Sequence, residues 1–149
     1  MFQGMPSEAS AIAAVAAPAT MANSEKVTGA ADAASYASFR AVLLLGDMAS
    51  ETIDFRIECA DDSGFSNNKT TVVSSTQLAA HATNNDSKAL VLECRDRDII
   101  KASATARYVR ARGITGGGTG GPAAILLEGF GARKQPVTNN TAVLEVKRP

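Results

Sequence analysis

The sequence predicts an all-β protein: a single antiparallel β-sandwich or jelly-roll-like domain preceded by an extended N-terminal arm. Three observations carry this. Short runs alternate apolar and polar residues, the segments between them are rich in turn formers, and no segment holds a long helical period. The chain has 149 residues, enough for one domain with its own core. Aromatic residues are scarce, with five Phe, two Tyr and no Trp, so Val, Ile and Leu are expected to build that core.

Residues 1–35 are dominated by Ala, Ser and small polar residues, with Pro6 and Pro18 as punctuation. They read as an arm, extended or partly helical, that is mobile alone and becomes ordered on a partner or as an added strand. Ile12 and Val15, with Pro18 beside them, are its candidate partner-binding residues, because the rest of its centre is alanine. The apolar stretch lacks a basic n-region and is broken by Pro18, so it does not read as a signal peptide. Residues 36–149 form the expected sandwich domain with a C-terminal tail segment.

"SFRAVLLLG" is a compact apolar run closed by Gly46 and Asp47, which suits a buried strand. "ETIDFRIEC" alternates, with Ile53, Phe55, Ile57 and Cys59 on one face and Asp54, Arg56 and Glu58 on the other. "ADDSGFSNNKT" is turn chemistry, in which Asp61 or Asp62 bonds its own backbone. "TTVVSST" and "KALVLEC" are further strands, the second with Leu90, Leu92 and Cys94 on one face. "RDRDIIKASAT" is a connection with a short helical turn and a solvated, ion-paired start. "ARYVRARGI" and "PAAILLEGF" are strands, and "AVLEVKRP" is a candidate last strand. Phe55, Ile57, Leu90, Leu92 and Val109 are the expected core. Cys59 and Cys94 end apolar faces and read as buried free thiols, with a disulfide as the alternative if their strands are neighbours.

The stretch "TGGGTGG" places Gly116, Gly118 and Gly121 at the spacing G-x-G-x-x-G. A dinucleotide fingerprint needs these glycines to open a long helix. Here Pro122 follows and Gly129 ends the segment, so the stretch reads as a hairpin loop. His81, the single histidine, lies in a polar loop without a serine elbow. Two cysteines and one histidine do not complete a zinc site, and Asp61 and Asp62 lack the alternating ligands of a calcium loop. The formal net charge of zero is unlike a basic nucleic-acid binder. No apolar run reaches bilayer length. The expectation is a protein that is not an enzyme, with no cofactor, no metal, no nucleic acid and no membrane partner.

The order "ASFRAVLLLG", "TIDFRIECADDSGF", "STQL", "NNDSKALVLECR", "RYVRARGITGGGTGG" and "GARKQP" resembles small virion proteins of tailed bacteriophages and prophages. These are of the capsid decoration, cement or head-stabilising type, and the likeness covers about residues 36–136. The chain departs from the pattern in having Phe65 where Trp is common, and in its longer arm. The resemblance implies a location on the capsid surface of a virion after synthesis in the host cytoplasm. It implies the major capsid protein and other copies of the chain, as a trimer, as partners. "ARYVR" also resembles discoidin-type carbohydrate-binding domains, so a glycan- or receptor-binding module is the alternative. Tyr36, Phe65 and Tyr108 are little aromatic material for that.

Overall fold

A computed structural model describes residues 9–48, 50–80, 86–133, 139–143 and 145. His81, and most of the candidate last strand "AVLEVKRP", lie outside the described residues.

The described residues form two antiparallel sheets. The strands are β1 (Ser10–Met21), β2 (Glu25–Val27), β3 (Ala31–Asp32), β4 (Ser38–Leu45), β5 (Thr52–Ala60), β6 (Thr70–Ser74), β7 (Ala89–Arg95), β8 (Tyr108–Gly116) and β9 (Gly121–Phe130). A short helix, α1 (Asp96–Ala102), follows β7 and is opened by the Asp98 carboxylate, which accepts from Arg95 N. One sheet has the order β1-β9-β4-β7. The other has the order β2-β8-β5-β6, with β3 also on β8. β2 and β3 lie end to end along β8, and Thr28 spans the gap between them. Its N donates to Ala111 O and its hydroxyl accepts from Ala111 N, both at 3.0 Å.

These pairings have one rule. The chain doubles back at the β5–β6 hairpin, and strands equally far from it pair: β5 with β6, β4 with β7, β2 and β3 with β8, β1 with β9. The doubled ribbon then rolls up so that β4 meets β9 and β5 meets β8. That is the jelly roll, and the predicted fold class holds.

The core between the sheets comes from the strand alternation. Phe39, Leu43, Ile53, Phe55, Ile57, Val109, Ile125 and Leu127 are all buried. Met21 and Met48 join them, and Ala11, Ala14, Ala41 and Ala111 let the sheets approach. Leu90 and Leu92 depart from expectation, because β7 is an edge strand and holds them half-buried at the rim of the sandwich.

Two other expectations are corrected. Residues 10–21 are not an arm outside the sandwich but its β1 strand, registered on β9 from Ser10–Phe130 to Met21–Gly121. Removing residues 1–30 would strip both β1 and β2 from the fold and uncover its core, so the thermal transition should fall rather than stay where a free arm would leave it. The glycine stretch is not a hairpin loop either, since β8 and β9 belong to different sheets. It carries the chain across the end of the sandwich, with Gly117, Gly118 and Gly120 at positive φ.

Cys59 and Cys94 are free and buried. Burial pushes both thiols up, Cys94 to about 12 with Asp98 and Cys59 adding to the effect. Native labelling at pH 8 is therefore expected to be about a hundredfold slower than labelling in urea. Equal rates in the two conditions would contradict the burial.

Candidate interaction surface

The two sheets present opposite chemistry to the outside. On β2-β8-β5-β6 the outer face carries a cluster of ion pairs centred on Glu58. Glu58 on β5 lies opposite Arg110 and diagonal to Arg112 on β8. Its Oε2 accepts from Arg110 Nε and Nη2 at 3.0 and 2.9 Å, and its Oε1 from Arg112 Nη1 at 3.0 Å. Arg112 Nη2 continues the chain to Glu25. Glu58 is only 2% exposed. Burial alone would raise its carboxyl, but the hydrogen bonds and charges of the two arginines outweigh it and hold the group below its ordinary value.

Phe65 covers this cluster, its ring 4.2 Å from the Arg110 guanidinium carbon. The turn before β6 puts it there. The Asp62 carboxylate accepts from the amides of Gly64, Ser66 and Asn67, and Phe65 takes φ 55. Those amides, Asn67 foremost, hold Asp62 below its usual range. The sequence showed an Asp turn here, but not which Asp makes it nor that it delivers Phe65 to an arginine.

The outer face of β1-β9-β4-β7 is different. Cross-strand register aligns Val15, Leu126, Val42 and Val91 in one row. The next row holds Ala124, Leu44 and Ala89. Leu44 is 45% and Val91 54% exposed. On the far side of the valine row come Ile12, Glu128, Arg40 and Glu93. There Arg40 Nη2 meets Glu128 Oε2 at 2.7 Å, and the Arg40 guanidinium carbon lies 5.2 Å from the Phe130 ring centre. A shallow depression of about 680 Å³ opens at this end, lined by Ser38, Arg40, Glu93, Arg95, Arg97 and Phe130 among others.

An antiparallel strand with one wet face alternates, whereas a strand covered on both faces reads as continuous apolar sequence. "AVLLL" in β4 and "AAILL" in β9 are of the second kind, yet Leu44 is exposed and Val42, Ala124 and Leu126 are only half-buried. Of the candidate anchors, Ile12 and Val15 both fall on this outer face, half-buried, in register with Glu128 and Leu126. Pro18 sits in an irregularity of β1 between Ala16 and Ala19, where a missing N–H costs an edge strand little. The tail reaches the same strand: Asn139 Oδ1 accepts from Ile12 N, and Asn140 N donates to Ile12 O. Among the described residues no three of His, Cys, Asp and Glu are grouped to hold a metal.

Fold and surface together define a jelly-roll sandwich with an ion-pair cluster around Glu58 on one face and apolar rows on the other. No protein-family model and no curated protein matches the chain. Among solved structures it is similar to the K3 cleaved adhesin domain of Lys-gingipain from Porphyromonas gingivalis w83. That likeness has 10% identity and a TM-score of 0.44, over 75% of this chain and 72% of that one. It is also similar to the structure of infectious bursal disease virus Gx strain, at 9% identity and a TM-score of 0.42. There it covers 84% of this chain but only 32% of the viral one. A third likeness is to TmCBM27, a carbohydrate-binding module described for specific mannan recognition. It has 9% identity and a TM-score of 0.39, over 75% and 68% of the two chains. At such identities these likenesses bear on the fold alone.

Proposed function

We propose that the protein is a non-enzymatic capsid decoration or cement protein of a phage virion. It lays the outer face of β1-β9-β4-β7 on the outer surface of the head, against the major capsid protein. The apolar rows of that face carry the reading, because a contiguous apolar patch on a small domain marks a surface made to be covered. The sequence resemblance supplies the kind of partner. The mechanism is mechanical: a rigid sandwich bridges neighbouring subunits, and many weak contacts on one lattice add up to firm attachment.

The test is sedimentation of the purified protein with undecorated heads. Leu44→Arg places a charge in the apolar rows and is expected to weaken binding by about tenfold or more. Arg56→Ala, on the opposite sheet, should leave it unchanged. Full-strength binding by Leu44→Arg would move the contact off this face. The depression beside Phe130, with polar side chains around a ring, favours glycan binding as the second reading. Competition of particle attachment by soluble oligosaccharide would mark that reading instead.

A further inference from the structure

We propose that β7 is a self-association edge, along which two copies of the chain join antiparallel about a two-fold axis at Val91. A jelly roll leaves sheet edges with free backbone groups, and proteins guard such edges. Three are guarded here. β1 carries Pro18 and two irregularities and is bonded by Asn139 and Asn140. The β2–β3 edge is broken into short pieces bridged by Thr28. β6 is short, and a bulge interrupts its pairing with β5. By contrast, β7 is regular, with unbroken register on β4 from Ala89 to Arg95, and it has no proline.

The backbone direction of β7 follows from its ends. Lys88 O accepts from Leu45 N, and Asp96 N donates to Ala37 O, so these residues turn towards β4. Backbone groups alternate sides in an antiparallel strand. Ala89, Val91, Glu93 and Arg95 therefore direct their N–H and C=O groups to the open edge. Among the described residues no strand pairs with that edge.

A second copy fits this edge better than a different strand. With three edges guarded, the open ladder on one copy finds its match in the same ladder on another, and a two-fold axis closes the pair without leading to a fibre. Centring the axis on Val91 sets Val91 against Val91 of the second copy, and Ala89 against its Glu93. Centring on Leu92 instead would bring the two Glu93 carboxylates diagonally together. The Val91 register keeps pairing away from α1. It also runs the row Val15, Leu126, Val42, Val91 straight into the same row of the second copy. On the inner face it sets Leu90 against the second copy's Leu92, covering the two rim leucines left half-exposed in one copy.

The experiment uses the purified protein alone, so its outcome is independent of particle binding. Light scattering at micromolar concentration should give a dimer. Val91→Lys sets like charges face to face and should give a monomer. Its fold should persist, with a thermal transition that no longer shifts with protein concentration as the wild type's does, because the side chain is exposed in a single copy. Val91→Cys should cross-link to a covalent dimer under mild oxidation, since a bonded antiparallel pair suits disulfide spacing. Leu44→Cys, on the neighbouring strand, should not. A monomeric wild type, the trimer that the family likeness implies, or cross-linking at position 44 without position 91 would each overturn the proposal.

Discussion

Replacing Phe55 by Ala is expected to destabilise the sandwich by about 3–5 kcal/mol. The ring is fully buried on β5, a strand bonded on both sides by β8 and β6. Its partner across the ladder is Gly113, which has no side chain to move into the space. A side chain at Gly113 would meet Met21, Leu43 and Ile125, three side chains already buried between the sheets. The alanines of the core are too short to reach the gap. The vacated volume therefore stays a cavity, and the cost lies at the upper end for such changes. Most domains of this size hold only about 5–15 kcal/mol in total, so the effect is a large fraction of the whole. Urea unfolding should show a lower midpoint with the same slope. A loss below about 1 kcal/mol would mean that the sheets close over the gap.

The second large effect is expected at Glu58. Glu58→Ala leaves Arg110 and Arg112 without the carboxylate that neutralises both, in a cluster shielded by Phe65. Breaking a shielded ion pair from one side costs about 3–5 kcal/mol, far more than the pair contributes over an apolar replacement. Arg112 keeps Glu25, so the lower end applies. The pH dependence has a definite sign. The folded carboxyl lies below its ordinary 4.5, so its stabilisation is complete above that value and fades as acid protonates the folded form. The gap in stability between wild type and Glu58→Ala should therefore be widest near neutrality and narrow below about pH 4. A gap that stays constant down to pH 3 would separate the stabilisation from the charge of Glu58.

Both effects come from strands that the sequence displays openly. "TIDFRIEC" and "RYVRARG" alternate without interruption, and period 2 sorts Phe55 inward and Glu58 outward with no further information. β1 was hidden for a physical reason. Its inward residues Ala11, Ala14 and Ala16 differ little in hydropathy from the alanines that face out, and its irregularities break the period. β2 and β3 are too short to show a period at all. The glycine stretch names a turn, but local sequence does not say whether a turn joins strands of one sheet or crosses to the other. The interaction surface was half legible. The unbroken apolar run of β4 announced two covered faces, and sequence alone read it as a buried strand; the like run of β9 was legible only as a strand. Register was needed to set Val15, Leu126, Val42 and Val91 side by side, because they come from four separate strands.

The doubled-ribbon connectivity also sets an order of events for the newborn chain. The β5–β6 turn can close as soon as it leaves the ribosome, whereas each outer pairing waits for a later strand to be made. The last is that of β1, whose Val15 must wait for Leu126. Topologies dominated by such distant pairings fold in roughly milliseconds to seconds, and their half-made forms carry open strand edges meanwhile. β9 is the keystone of this schedule, since it lies between β1 and β4 and is the last of the described strands to be synthesised. A chain cut short just before Gly121 would lose the middle of one sheet. β1 would then have nowhere to bind, although every one of its own residues had been made.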